Sequence, residues 1–238
     1  MSQASERQRA VRDDGGNAVS ADLSHVGAWL FDLDNTLYPL ESGLGADISD
    51  RITDYVERLT GLPRDEARAL QKRYLDQHGL TLKGLMLNHG VDPDDYHAMF
   101  ADVSLEAIAR DPALIAAIER LPGRRLIFTN ADAGHARRLM DHLGLAHLFS
   151  EVFHIESAGF IPKPDPEAFQ RLIAAHAIDP AATAFFEDRA LNLEPAAKLG
   201  MTTVLVGLDA EANTDAFVDH RAPRLAPFLA AAGVKETV

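Results

Sequence analysis

The stretch FDLDNTLYP, Phe31 to Pro39, is more informative than any other part of the sequence. It places two carboxylates, Asp32 and Asp34, two residues apart at the end of an apolar run. We predict that this run is a strand over Ala28 to Asp32, and residues two apart on a strand point to the same side. Both acids therefore face one point beyond the carboxyl end of the strand, where open α/β sheets bind ligands.

The apolar pattern changes after this first strand. From 41 to 121, apolar residues recur at helical spacing, and Pro63, Pro93 and Pro112 stand where helices should begin. After residue 121, short apolar strands alternate with amphipathic helices, which is typical of βαβ units. The predicted strands are 125–129, 151–155, 183–186 and 202–206, and the predicted helices are 134–143, 166–176 and 191–199.

This alternation predicts an α/β fold, with a Rossmann-like parallel sheet that carries helices on both faces and an inserted all-helical domain. The predicted core is discontinuous, formed by residues 23–40 and 122–238, and the helical insertion is 41–121. Residues 1–22 are polar and lack periodicity, so we predict a disordered tail there. The chain after about residue 208 is less regular, and its 222–234 segment is a candidate to cover the edge of the sheet.

Composition narrows the class of partner. The net charge of −13 argues against a nucleic acid polymer or an anionic membrane, although a small anionic substrate remains compatible with it. The sequence has no cysteine, which excludes disulfides, zinc–thiolate sites and cysteine nucleophiles together. No apolar run is long enough to cross a bilayer, and the first residues lack a hydrophobic signal core, so a cytoplasmic location is expected. The oligomeric state stays open.

Polar residues stand at the ends of several predicted strands or in the loops beside them. These features are Asp32 with Asp34, Thr129 with Asn130, Lys163 in the loop IPKPDP, and Glu187 with Asp188. Any one of them could be a helix cap or a solvated loop. Because the carboxyl ends of parallel strands meet at one edge of a sheet, we expect all four features to converge.

The residue types suit phosphoryl transfer. Asp32 can attack phosphorus as a nucleophile, and Asp34 can protonate the leaving alcohol and later accept a proton from water. The Thr129 hydroxyl and the Asn130 backbone N–H can hold phosphate oxygens, with Lys163 as a compact cation. An oxygen-only Mg²⁺ site is expected from Asp32, the Asp34 carbonyl, Glu187 and Asp188.

Four segments together resemble the ordered motifs of the haloacid dehalogenase (HAD) superfamily: FDLDNTLYP, IFTNAD, IPKPDPEAF and FFEDRALNLEPAAKLGM. The resemblance implies a Rossmann-like core with a mobile helical C1 cap inserted between the first two motifs. It also implies site residues: Asp32 as nucleophile, Asp34 as acid and base, Thr129 and Lys163 as phosphate binders, and Asp188 as the principal metal ligand. Glu187 would bind metal directly or through water, and Asn192 would support the metal ligands from behind.

Within that superfamily the chain resembles the pyrimidine 5′-nucleotidase subgroup. The similar patterns are LYP after the first motif, GLTLKGLM at 79–86, VDPDDYH at 91–97, and TNAD. This resemblance implies Mg²⁺-dependent hydrolysis of a nucleoside 5′-monophosphate through an aspartyl phosphate. A sugar phosphatase, a phosphoglycolate phosphatase, a phosphomutase and a non-catalytic phospho-receiver are the alternatives. A halide leaving group is the poorer interpretation, because halide needs no proton and Asp34 is present.

Some residues have less specific assignments. In the insertion, Tyr74, Lys83, Met86 and Asn88 are candidates to face the substrate. His135 follows the second motif, and we expect it on a helix surface rather than in the site. Trp29, just before the first motif, is expected in the core.

Overall fold

The computed structural model describes residues 21–234. The predicted disordered tail, 1–22, lies outside the described residues except for its last two positions. At that end Asp22 forms a parallel bridge with Gly233, so the last residue of the predicted tail is paired with the C-terminal segment.

Six strands form one parallel sheet, in the order β3-β2-β1-β4-β5-β6. Their bounds are β1 Ala28–Phe31, β2 Arg124–Phe128, β3 Glu151–Phe153, β4 Thr183–Glu187, β5 Thr202–Val206 and β6 His220–Ala222. Every paired neighbour runs parallel. The predicted α/β class with a Rossmann-like parallel sheet is confirmed.

The central strands are buried along nearly their whole length, and their interior residues are apolar. In β4 every residue is buried, and in β1 only Ala28 is partly exposed. Strands in the middle of a parallel sheet are covered on both faces by helices, so continuous apolar runs are expected there. Trp29 lies in the core, as predicted, and its indole N–H donates to Pro122 O at 2.6 Å.

Nine helices lie in the described part of the chain. In the insertion they are α1 Leu44–Thr60, α2 Arg64–His78, α3 Thr81–His89 and α4 Pro93–Ala98. The others are α5 Pro112–Glu119, α6 Ala133–Leu143, α7 Pro166–His176, α8 Ala190–Leu199 and α9 Leu225–Ala231. The three prolines stand as predicted: Pro93 and Pro112 are first residues of helices, and Pro63 precedes α2.

Two apolar clusters cover the two faces of the sheet. One joins Phe31 and Phe186 to side chains from α5, α6 and α9, and it continues into the helical insertion. The other joins Leu30 and Phe185 to side chains from α7 and α8. Alternation along each strand explains this division, because residues 30 and 31, or 185 and 186, point to opposite faces.

The helices of the predicted insertion do not all pack together. Helices α1, α2 and α3 pack side by side, whereas α5, which also falls within 41–121, packs against α9 beside the sheet. The boundary of the helical cap at 121 stays a prediction, and the packing of α5 supports an earlier boundary.

The C-terminal segment contains the edge strand that the sequence pattern missed. Strand β6 is only three residues long and pairs with β5 through Val204 and His220. It is followed by α9, whose Leu225 and Leu229 are buried in the first apolar cluster. Among residues 21–234, no helix is both long enough and apolar enough to span a membrane.

Candidate active site

The register of the parallel strands places Asp32 level with the carboxyl ends of β2 and β4. Phe31 pairs with Ile127 on one side and with Phe186 on the other. Asp32 is the next residue, and its N–H donates to Phe186 O at 2.9 Å, which continues the pairing by one step. Asp32 and Glu187 are therefore neighbours at the carboxyl end of the sheet, and both side chains point to the same face.

Lys163 joins these two acids. Its Nζ donates to Asp32 Oδ1, Glu187 Oε2 and the Phe128 carbonyl, each at 2.7 Å. The side chain is only 1% exposed. An ammonium group has three protons, so every donor of Lys163 has an acceptor. The structure thus brings together the first, third and fourth sequence features.

Asn130 holds the backbone of Lys163 in place. Its Oδ1 accepts from the Lys163 N–H at 2.8 Å, and its Nδ2 donates to the Lys163 carbonyl at 3.1 Å. Sequence reasoning assigned a role only to the backbone N–H of Asn130, so this clamp is a contact that it missed. The adjacent Thr129 is buried, and its Oγ1 accepts from Ala131 N–H at 3.0 Å, which leaves the hydroxyl proton available to a ligand.

Three carboxylates meet closely enough to share a cation. Oxygens of Asp32, Glu187 and Asp188 all lie within 4.8 Å of one another. Both oxygens of Glu187 are already engaged, Oε2 by Lys163 and Oε1 by the Arg189 N–H at 3.1 Å. This arrangement favours Asp188 over Glu187 as a direct ligand.

Two amide oxygens beside these acids lack a partner. Within the described residues, Asn35 Oδ1 and Asn192 Oδ1 are buried and accept no hydrogen bond. A buried oxygen without a donor is costly, and amide oxygens also bind hard cations or the water around them. The donor set is therefore all oxygen, carries excess negative charge and has unused acceptors, which fits Mg²⁺.

The pKa values of the site carboxyl groups show that these acids are buried and repel one another. Burial, reinforced by the Glu187 carboxylate, raises the pKa of Asp32 to about 7 even though Lys163 opposes the shift. Burial likewise raises the pKa of Glu187 to about 7, and burial together with Asp32 raises the pKa of Asp188. Burial alone would lower the pKa of Lys163, but the carboxylates of Asp32 and Glu187 outweigh it and raise that pKa. One ammonium does not balance these acids, so a divalent cation would relieve the repulsion.

Asp34 has surroundings of a different kind. Its Oδ1 accepts from the Tyr38 hydroxyl at 2.8 Å and lies 3.0 Å from His135 Nε2. Burial acts to raise the pKa of Asp34, but these contacts outweigh it and hold the pKa below its ordinary value. Burial acts to lower the pKa of His135, but Asp34 outweighs it and raises the pKa.

The expected surface position of His135 is wrong. The side chain is 5% exposed and faces the site, because the capping bond from His135 N–H to Asp132 Oδ1 sets the first turn of α6 beside Asp34. Tyr38 and Thr36 were also missed as site residues, and the Thr36 hydroxyl lies 3.2 Å from Asp32 Oδ2. Their position within FDLDNTLYP, just after the two acids, was the available sequence signal.

A cavity of about 300 Å³ opens above these residues. Its far wall comes from the insertion and is mostly apolar, formed by Ile48, Ile52, Leu80, Leu82, Tyr96, His97 and Phe100. Tyr74, Lys83, Met86 and Asn88 do not line it, so the prediction that they face the substrate is wrong. Tyr74 instead packs on Gly84 and its hydroxyl lies 3.0 Å from His89 Nε2.

The cavity has a polar edge where the insertion meets the sheet domain. His97 from α4 lies 3.5 Å from Glu156, which also lies 2.6 Å from His154. Oxygen and nitrogen atoms of His97, Asp132 and Glu156 come within 4.8 Å of one another. These contacts tie the helical insertion to the loop after β3.

The sequence is similar to a known protein family and to a yeast protein. The model of the haloacid dehalogenase-like hydrolase family matches residues 26–200. Phosphate metabolism protein 8 of Saccharomyces cerevisiae is 28% identical over 193 residues, which covers 74% of this chain. The match spans 60% of the length of that yeast protein.

Solved structures share the fold at low identity. A HAD phosphatase from Thermococcus onnurineus aligns with a TM-score of 0.59 and 20% identity, covering 83% of this chain and 94% of that one. The L-2-haloacid dehalogenase of Xanthobacter autotrophicus with covalently bound chloropropionic acid aligns with a TM-score of 0.56 and 15% identity, covering 86% and 97%. The described chain thus has the fold of both a phosphatase and a dehalogenase.

Proposed function

The chain belongs to the haloacid dehalogenase-like hydrolase family, and from that premise we propose that it is a Mg²⁺-dependent phosphomonoesterase. We propose that its substrate is a small phosphorylated metabolite, a pyrimidine nucleoside 5′-monophosphate. The observation that carries the proposal is the convergence of Asp32, Lys163 and Asp188 beneath a cavity that also holds Asp34. This set supplies a nucleophile, a cation, a metal ligand and a proton carrier in one place.

In the first step, an Asp32 oxygen attacks the phosphorus of the bound ester. A new oxygen–phosphorus bond forms on Asp32 as the bond to the leaving alcohol breaks, which gives an aspartyl phosphate. Asp34 gives its proton to the departing oxygen. The negative charges of the bound substrate raise the proton affinity of Asp34, which offsets the contacts that hold its pKa low in the free site.

In the second step, Asp34 takes a proton from a water molecule that attacks the same phosphorus. The bond to Asp32 breaks, and inorganic phosphate and the free carboxylate return. Thr129 donates its hydroxyl proton to a phosphate oxygen, and Lys163 holds Asp32 in the attacking position through its 2.7 Å contact. Asn130 supports both steps by fixing the Lys163 backbone.

Asp32 and Asp188 would hold the Mg²⁺, with the Asp34 carbonyl, and Glu187 would act through water. When bound there, the ion would supply positive charge that offsets the negative charge of the transferring phosphoryl group. The unpartnered oxygens of Asn35 and Asn192 support this assignment, because both lie in the wall of the same cavity.

The cavity wall supports a nucleoside as the leaving group. Ile48, Ile52, Tyr96 and Phe100 offer aliphatic and aromatic surface of the kind that packs against a flat base. Among the described residues that line the cavity, the cations are Lys163, which is fully engaged, and Arg189. The cap wall therefore has no lysine or arginine to bind the carboxylate of phosphoglycolate or a second phosphate.

The buried contacts of Asp34 also argue against a dehalogenase. A halide leaves without a proton, so a dehalogenase has no use for an acid held by Tyr38 and His135 beside the nucleophile. A sugar phosphatase or a phosphomutase of the same fold stays an alternative. A cytoplasmic location stays a prediction.

Phosphate release from a substrate panel tests the proposal. The panel holds pyrimidine and purine nucleoside monophosphates, sugar phosphates and phosphoglycolate, each with Mg²⁺ and with a chelator. We expect release only with metal, fastest on the nucleotides, and absent in Asp32→Asn, while Asp65→Asn on the exposed face of α2 retains activity. Isomer formation without net phosphate would indicate a mutase, and a stable phosphorylated protein would indicate a receiver.

A further inference from the structure

The carboxyl group of Asp34 is held from one side only. Tyr38 and His135 both reach Oδ1, at 2.8 and 3.0 Å, whereas no described residue hydrogen-bonds Oδ2. We propose that Tyr38 and His135 are positioning residues that turn Oδ2 of Asp34 toward the leaving-group oxygen. This inference rests on the proposed phosphatase function and names the groups that make Asp34 an effective acid in it.

The two donors come from separate parts of the fold. Tyr38 belongs to the segment that follows β1, and His135 belongs to the first turn of α6. Each side chain is at most 5% exposed, so neither is free to swing into solvent. Rotation of the Asp34 carboxyl would break two buried hydrogen bonds at once, and this holds the group in one orientation.

The side chain of Asp34 is open to the cavity above Asp32. The Asp34 side chain is 30% exposed although both of its partners are buried, and all three residues line the cavity above Asp32. General acid catalysis needs the acid within hydrogen-bond reach of the departing oxygen and pointing at it. Two donors on Oδ1 meet that need, because the carboxyl then presents Oδ2 and its proton to the cavity.

A role in positioning the acid differs measurably from a role in folding. The acid matters most when the leaving group is a poor one, such as the 5′-hydroxyl of a nucleoside. It matters much less for p-nitrophenyl phosphate, because p-nitrophenolate leaves readily without a proton. The ratio of kcat/KM for the two substrates therefore reports on proton delivery, whereas general damage to the fold lowers both values together.

The experiment compares three variants on uridine 5′-monophosphate and p-nitrophenyl phosphate. We expect His135→Leu to lower kcat/KM for the nucleotide by about 100-fold, and by at least about tenfold more than for the nitrophenyl ester. His135→Gln places an amide N–H close to the position of Nε2. We expect its kcat/KM for the nucleotide to be about tenfold higher than that of His135→Leu. Tyr38→Phe keeps the ring and loses only the hydroxyl. We therefore expect a smaller loss of kcat/KM, which is again greater for the nucleotide than for the nitrophenyl ester.

Several outcomes would overturn the inference. If folded His135→Leu protein lost the same factor of kcat/KM on both substrates, His135 would have only a packing role. The same conclusion would follow if His135→Gln were no better than His135→Leu. If His135→Leu does not fold, Tyr38→Phe alone decides, and an unchanged substrate ratio in that variant refutes the proposal. Absence of phosphate release from the unsubstituted protein would instead refute the proposed function, and this inference with it.

Discussion

Lys163 Nζ lies 2.7 Å from Glu187 Oε2 in a contact from which solvent is almost excluded, since each side chain is only 1% exposed. Lys163 reaches Asp32 Oδ1 at the same distance, so one ammonium neutralises parts of two buried acids. Removing one member of a buried ion pair strands the others without a counter-charge, which costs more than the pair contributes as a whole.

We therefore predict that Lys163→Met destabilises the protein by about 3–5 kcal/mol and abolishes phosphate release. Methionine is similar in length, so the loss reflects charge more than volume. Urea unfolding with and without Mg²⁺ measures the first effect, and a phosphate assay measures the second. Lys198→Met is the control, because Lys198 is exposed and pairs with Glu194 on the surface, and it should change the stability by less than about 1 kcal/mol. Equal stability of the two variants would contradict the prediction.

Stability without metal should fall as the pH rises. The pKa values of Asp32 and Glu187 are raised to about 7 in the folded protein, well above those of unfolded carboxyl groups. The protonated acids therefore favour the folded state at low pH, and that stability is lost as the pH rises through about 7. In the presence of a chelator we expect the free energy of unfolding to fall by on the order of 3 kcal/mol between about pH 5 and about pH 8.

Mg²⁺ should reverse this loss, because it binds the ionised acids. The increase in melting temperature on adding Mg²⁺ is expected to be larger at about pH 8 than at about pH 6. Glu187→Gln removes one of the three acids whose pKa values are raised and should flatten the pH slope measured in the chelator. A metal-induced shift that is the same at both pH values would count against a shared carboxylate site.

Helix α3 has a glycine that packing requires. A Cβ added at Gly84 would collide with the ring of Tyr74, which belongs to α2. We predict that Gly84→Ala destabilises the protein by about 1–3 kcal/mol, although alanine is the better helix former. Gly45→Ala in α1 is the matched control, because its nearest neighbour would be Asn35 Oδ1 at 3.8 Å, and it should be neutral or stabilising. Denaturant titration of both variants gives the comparison.

The apolar wall of the cavity should set the choice of leaving group. Ile52 lies in α1 and faces the cavity, so Ile52→Lys places a cation beside the leaving group. We expect kcat/KM to fall by about tenfold or more for nucleoside monophosphates and to rise for phosphoglycolate, whose carboxylate the lysine can bind. Leu59→Lys on the exposed side of the same helix serves as control and should leave both values near those of the unsubstituted protein. An unchanged preference in Ile52→Lys would place the leaving group elsewhere.

The regular elements were largely readable from the sequence. Strand β5 and helix α7 have the predicted bounds, and the other predicted strands and helices of the sheet domain differ by one or two residues at an end. Continuous apolar runs and helical spacing are properties of neighbouring residues, so they appear in any single sequence. Strand β6 was missed because three residues, HRA, are too few to show a period and only their last is buried.

Part of the candidate site could also be predicted from the sequence, for a related reason. Asp32, Thr129, Lys163 and Glu187 were predicted to meet because strand ends in a parallel sheet converge. His135 was not predicted to lie in the site, because the same helical pattern fits a histidine that faces solvent and one that faces the sheet. The prediction for the cap residues was wrong for the same reason: Met86 and Asn88 were chosen on α3, whereas α3 contributes Leu82 to the cavity wall, beside residues of α1 and α4.

The amino-acid sequence alone determined the order of strands and helices, the parallel sheet and the polar residues at its carboxyl edge, because period and motif spacing are local. The rotation of each helix about its axis, and the contacts that its side chains make, became known from the three-dimensional structure. That rotation places His135 against Asp34, puts three acceptors around Lys163, and turns Ile48 and Ile52 rather than Tyr74 to the cavity. It depends on packing between elements far apart in the chain, and no local pattern encodes it.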